Sequence, residues 1–222
     1  MKIACWTLIS LIALGCRAES VGVRIERGGP QSLSADELRR DAWRWARAAP
    51  GERGALVQRR LADMRWPMGP PPAGLAGAWC VRRGVGSAEN AGGDAIWWSA
   101  EAGSPADPES EGVQWAALIA LAKGIPDAPR AQPLALCAGA GPVAPERAAA
   151  ALRAAGYAPA AWIGGISGEP LGPVGIFGAA GRRYAEAAPR PWPGLVELDA
   201  EAVVGAVRAL AEAWSPPAPP RP

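Results

Sequence analysis

Leu134-Ala135-Leu136-Cys137 is a short apolar run that ends in a cysteine. A loop of mostly small residues, Ala138 to Ala144 with one proline, Pro142, leads from it into an alanine-rich stretch opened by Pro145 and closed by Gly156. The pattern reads as strand, turn and helix. A thiol at the end of a strand, facing a helix start, can act as a nucleophile, because loop amides and a helix N-terminus favour the thiolate. The same cysteine can be half of a disulfide or part of a packed core. From this segment alone all three readings of Cys137 stand open.

The same loop carries Gly139-x-Gly141-x-x-Ala144, which has the form of a dinucleotide or anion-binding turn. Dinucleotide binding also needs an acidic residue at the end of the next strand, and Ala160-Ala161-Trp162-Ile163-Gly164-Gly165 occupies the place. The glycines equally allow a tight strand-to-helix turn, and no cofactor is expected. Carboxylates Asp94, Glu101, Asp107, Glu109 and Glu111 crowd the stretch around and after Trp98. Their spacing matches no calcium loop, so they read as a solvated acidic loop and no metal site is expected. The chain contains no histidine, which excludes Ser-His-Asp and Cys-His catalysis and every histidine-containing zinc site.

The elements that must position these groups belong to a chain of 222 residues, enough for one domain with a real core and an extra element. Its 23 basic and 21 acidic residues form no long run of either sign, which argues against a nucleic-acid partner. The 11 tryptophans far outnumber the other aromatics and read as core filler.

Residues 1–15 carry Lys2 and then an apolar run, Ile3 to Leu14, of the length of a secretory signal and too short to span a bilayer. The run ends in Ala13-Leu14-Gly15-Cys16, which resembles a bacterial lipobox. The resemblance implies that Cys16 is lipidated and becomes the mature N-terminus. Arg17 stands where an aspartate would retain such a protein at the inner membrane, so the resemblance implies an exported, periplasmic protein anchored to the outer membrane. The partner is then the membrane, by lipid anchor, together with an envelope protein that the sequence does not name. Processing removes Cys5 and leaves Cys80 and Cys137 as the two thiols in an oxidising compartment, where a disulfide is the default.

Residues 16–33 read as a tether and 34–66 as a helical hairpin. In its first helix Ser34-x-x-Glu37 forms a capping box, Leu38, Ala42, Trp45 and Ala49 keep helical spacing, and Pro50 closes the segment. The second helix covers 54–66, with Val57, Leu61 and Met64 on one stripe and arginines on the other faces. A breaker-rich linker occupies 67–74. From 75 to 167 short apolar runs alternate with helices: strands at 79–81, 95–98, 134–136 and 160–163, helices at 112–123 and 145–155. This predicts an α/β domain with a small, mostly parallel sheet and flanking helices. Residues 168–214 extend that domain with strands at 174–177 and 195–198 and a helix capped by Asp199. Residues 215–222 are a proline-rich tail.

Within 75–167 the order of marks resembles a rhodanese-like domain. Ala78-Trp79-Cys80-Val81-Arg82 is similar to that family's Asp-x-Arg strand, and Gly92-Gly93-Asp94-Ala95-Ile96-Trp97 to its next segment. Leu134-Ala135-Leu136-Cys137 is similar to the active-cysteine strand, Gly156-Tyr157 to the helix end, and Ile163-Gly164-Gly165 to the last strand. The resemblance implies a sulfurtransferase or thiol-redox enzyme using Cys137, with the loop around Gly139 and Gly141 as its anion cradle. This chain departs from the pattern where the chemistry lies. Residues 138–145 contain no cation, Pro142 and Pro145 remove two amide donors, Glu146 stands near the helix start, and Cys80 replaces the aspartate. The expectation is therefore a non-catalytic binding or structural module on a degenerate rhodanese-like fold. The resemblance also sets the Cys80 strand parallel to the Cys137 strand and beside it, which implies a Cys80–Cys137 disulfide.

Overall fold

The computed structural model describes residues 29–84, 93–99, 108–127, 133–139, 143–164, 174–178, 181–183 and 192–214. Cys16 and Gly141 lie outside the described residues.

A helix forms where the apolar stripe was read: α1, Ala35–Arg47, buries Ala35, Leu38, Ala42 and Trp45. Ser34 is its N-cap in extended conformation, yet its side chain makes no capping hydrogen bond. The expected capping box is replaced by a tertiary contact, because Glu37 pairs with Lys123 at 2.6 Å. Pro50 opens the second helix, α2 (Pro50–Asp63), and does not merely close the first; a missing N–H costs nothing in a first turn. Val57 and Leu61 form its buried side, together with Arg53. Trp66 follows, fully enclosed, and donates its indole N–H to the Ala122 carbonyl at 3.2 Å.

The strands are β1 (Met68–Gly69), β2 (Trp79–Arg83), β3 (Asp94–Ser99), β4 (Leu134–Gly139), β5 (Ala158–Ile163), β6 (Val174–Gly178) and β7 (Gly181–Arg183). They form one sheet in the order β1-β2-β4-β3-β5-β6-β7. Helix α3 (Pro108–Gly124) links β3 to β4, α4 (Pro145–Ala154) links β4 to β5, and α5 (Ala200–Ala213) closes the described chain. The architecture is thus mixed α/β, as expected, but the sheet is mixed and not mostly parallel. Among the described strands only β4-β3 and β3-β5 pair in parallel. The remaining neighbours are antiparallel. The reason is length. A parallel connection needs a crossover of a dozen or more residues, normally a helix, and only the links through α3 and α4 supply one.

Helices cover both faces. Leu134, Leu136, Ile96, Trp98 and Val81 point toward the side occupied by α1, α2, α3 and α5. Ala135, Cys137, Ala95, Trp97 and Cys80 point toward α4. Every residue of β4 is buried, as a strand covered on both faces requires. Helix α3 is the hub of the larger side. It is buried continuously from Ser110 to Ile119, and α1, α2 and α5 all pack on it. Gly112 permits the approach of α1: a Cβ there would lie 2.5 Å from the Ala42 carbonyl oxygen. The stretch 195–198, expected as a strand, is irregular. Asp199 does cap α5, accepting the Ala202 N–H at 3.1 Å. Among the described residues no helix is long and apolar enough to cross a membrane.

Candidate functional site

Cys80 and Cys137 stand directly opposite each other in the β2–β4 ladder and are joined in a disulfide, with their Cα atoms 4.0 Å apart. The expected bond is present, but between antiparallel strands. Antiparallel pairing brings directly opposed residues closest where they do not exchange backbone hydrogen bonds, about 4.5 Å between Cα atoms, and that closeness lets two short side chains bridge the strands. Both cysteines are 0 % exposed. In this bonded state neither sulfur carries a proton to lose.

The pair belongs to a row that runs across the sheet. Gly69 pairs with Cys80, Cys80 with Cys137, Cys137 with Trp97, and Trp97 with Trp162. Cys80, Cys137, Trp97 and Trp162 all pack in the cluster beneath α4, with Ala148, Leu152 and Tyr157. Trp162 is pinned by its indole N–H, donated to the Val143 carbonyl at 3.1 Å. Gly69, at the other end, lies under the Tyr157 hydroxyl, which donates to the Pro70 carbonyl at 3.0 Å. Burial raises the Tyr157 hydroxyl above its ordinary pKa, with the Arg82 charge opposing.

Gly139 ends β4 and is buried. A Cβ at this position would meet the Trp97 ring at 3.1 and 3.2 Å. The glycine therefore makes room for an indole here. Helix α4 begins with Ala144 as an N-cap that offers no side-chain hydrogen bond, then Pro145, with Glu146 in the first turn. The carboxyl ends of β3 and β4 nonetheless have the position of a ligand site in open α/β sheets, since the helices that follow them lie on opposite faces of the sheet. Among the described residues the buried indole N–H groups of Trp97 and Trp98, both next to that edge, have no hydrogen-bond partner.

The carboxylates do structural work. Glu109 and Glu111 lie in the first turn of α3, where the helix dipole favours them, and not in a solvated loop. Glu111 is 5 % exposed and forms an ion pair with Arg53. Arg53 also donates to the carbonyls of Ala48 at 2.9 Å and Ala46 at 3.0 Å, and the Trp115 indole donates to Glu111 at 3.1 Å. Glu109 accepts the Leu195 N–H at 3.1 Å, which holds the irregular segment before α5. Asp94 begins β3, at the opposite edge of the sheet from Gly139. Glu101 and Asp107 lie outside the described residues. Among the described residues no group of three or more acidic or cysteine side chains converges as a metal site requires.

The Arg53–Glu111 network had no signal in the local pattern: Arg53 precedes the stretch whose periodicity marked the second helix. Only the packing of α2 on α3 brings the two together. No family model, no curated protein and no solved structure matches this chain.

Proposed function

We propose that this protein is an exported, lipid-anchored component of a bacterial cell envelope whose α/β domain is a non-catalytic binding or structural module. The observation that carries the reading is the state of Cys137. The residue best placed for nucleophilic chemistry is fully enclosed and bonded to Cys80. A sulfur nucleophile must be a thiolate that its substrate can reach. A buried staple needs neither property, and the loss of cationic and amide donors from the following loop fits that role. The rhodanese-like resemblance enters this proposal only as the order of elements along 75–167.

The export half rests on the apolar run ending at Cys16, and a disulfide inside the domain is compatible with an oxidising compartment. Mass spectrometry of the mature protein, alkylated with and without reductant, tests both halves together. The expected result is a lipid-modified N-terminus at Cys16 and no alkylated thiol until reductant is added. A thiosulfate-to-cyanide sulfur transfer that vanishes in Cys137→Ser would overturn the non-catalytic reading. Equal masses for wild type and Cys16→Ser, apart from the substitution, would overturn the anchor.

A further inference from the structure

The face of α1 turned away from α3 carries Asp36, Arg39, Arg40, Trp43, Arg44 and Arg47, all exposed. Four arginines thus surround one tryptophan, against a single exposed aspartate. Trp43 is 47 % exposed, on a helix whose other tryptophan, Trp45, is 4 % exposed. The Arg47 guanidinium lies over the Trp43 ring at 5.2 Å. Asp36 is engaged by Arg39 at 3.4 Å, and Asp41, on the flank, by Arg44 at 3.9 Å. Arg60 of α2, also exposed, reaches Asp41 electrostatically and extends the basic field beyond α1. The Glu37 carboxylate on the other flank is taken by Lys123.

We propose that this Trp43-centred basic face of α1 docks on an anionic phospholipid surface. A convex helix face with one large aromatic and several long cations is suited to a bilayer interface. The indole rests at headgroup level, and the arginines reach past it to phosphate oxygens. It lacks the shaped apolar core that a protein partner would need. Charge complementarity selects the anionic lipid, since each juxtamembrane cation near such a surface adds to the attraction. The proposal rests on the lipid-anchor reading for its geometry: from Cys16 to Ser34 the chain reaches at most about 65 Å when fully extended, which keeps α1 near the membrane.

The test uses the full chain as the cell processes it, added to phosphatidylcholine vesicles with or without phosphatidylglycerol, part of the phosphatidylcholine being brominated on its acyl chains. The emission that disappears on Trp43→Ala is expected to be quenched by brominated lipid only when phosphatidylglycerol is present. Replacing Arg39, Arg40, Arg44 and Arg47 by glutamine should weaken docking about fivefold per arginine, and replacement by lysine should largely preserve it. Added salt should reverse it. Quenching equal in wild type and Trp43→Ala, quenching independent of phosphatidylglycerol, or binding to polyglutamate in place of vesicles would each overturn the proposal. The readout is Trp43 itself, so the anchor is judged separately from the mass of the same preparation. A lipidated chain without Trp43 quenching sinks the docking face alone, and an unlipidated chain with it sinks the anchor alone.

Discussion

Arg53 of α2 and Glu111 of α3 form an ion pair closed off from solvent, at 3 % and 5 % exposure. Arg53 also donates to the Ala46 and Ala48 carbonyls and Glu111 accepts from Trp115, so the pair joins the end of α1, the start of α2 and the start of α3. Removing one partner leaves the other charge buried alone. Arg53→Ala or Glu111→Ala should therefore cost about 3–5 kcal/mol in urea unfolding. Replacing both with apolar residues of similar volume, Arg53→Met with Glu111→Leu, should cost much less than the sum. A double variant as unstable as that sum would show that the pair itself, and not the avoidance of a lone charge, holds the three helices.

The disulfide closes a loop of 57 positions between Cys80 and Cys137. Constraining an unfolded chain over that length is worth about 4 kcal/mol in the chain-entropy model, and native disulfides typically give about 2–4 kcal/mol. Cys80→Ala with Cys137→Ala should lower the urea midpoint accordingly, and reductant should shift the wild type toward the double variant but leave the double variant unmoved. Equal midpoints for wild type with and without reductant, once free thiols are confirmed, would contradict a stabilising staple.

The local elements were legible because periodicity and caps are local. The stripe Leu38, Ala42, Trp45 marked α1, the apolar run 134–136 marked β4, and Asp199 marked the start of α5. The expected direction of β2 rests on the family resemblance, although the link from Arg83 to Asp94 is shorter than a parallel crossover needs. Hence the disulfide partners were named while their relative direction was inverted. Trp115, Leu118, Ile119 and Ala122 keep the spacing of one helix face, yet α3 is buried nearly all round, since α1, α2 and α5 cover what one sheet would leave open. The same long-range packing hid the use of Glu37: a capping signature in sequence became an ion pair with Lys123.

Gly112 lets α1 pack closely against α3. A Cβ would stand 2.5 Å from the Ala42 carbonyl oxygen, 2.8 Å from the Ala46 amide nitrogen and 2.9 Å from the Ala46 Cβ. These are backbone and near-backbone atoms, which no rotamer change can move. Gly112→Ala gains helix propensity but must push the helices apart, and overpacking of this kind costs about 1–3 kcal/mol. The expected outcome is a lower thermal midpoint despite the better helix former. An unchanged or higher midpoint would mean that α1 yields freely.

Gly69 and Tyr157 provide a sharper cycle. A Cβ at Gly69 would meet the Tyr157 hydroxyl at 2.5 Å, and its next neighbour is the Arg82 Cδ at 3.5 Å, an ordinary contact. Gly69→Ala should be destabilising in the wild-type background and nearly neutral in Tyr157→Phe, which deletes the obstructing oxygen. Tyr157→Phe alone should lose about 0.5–1.5 kcal/mol with the hydrogen bond to Pro70. Additive effects of the two substitutions in urea unfolding would place the cost of Gly69→Ala elsewhere in β1.

Asp41 supplies a pH test. Burial first, and then the neighbouring Glu37 charge, raise its carboxyl above the ordinary value of 3.8, while Arg44, Arg60 and Arg40 pull it down. An acid that binds its proton more tightly when folded favours folding only while protonated. Its contribution is complete below 3.8 and is lost as pH rises through the higher folded value. At neutral pH the ionised Asp41 is therefore a cost to the fold. Asp41→Asn removes that cost, so its urea midpoint should exceed the wild type's at neutral pH, and the gain should fade as pH drops below the ordinary carboxylate range. A variant less stable than wild type at neutral pH would show that the contact with Arg44, at 3.9 Å, outweighs burial and the Glu37 charge.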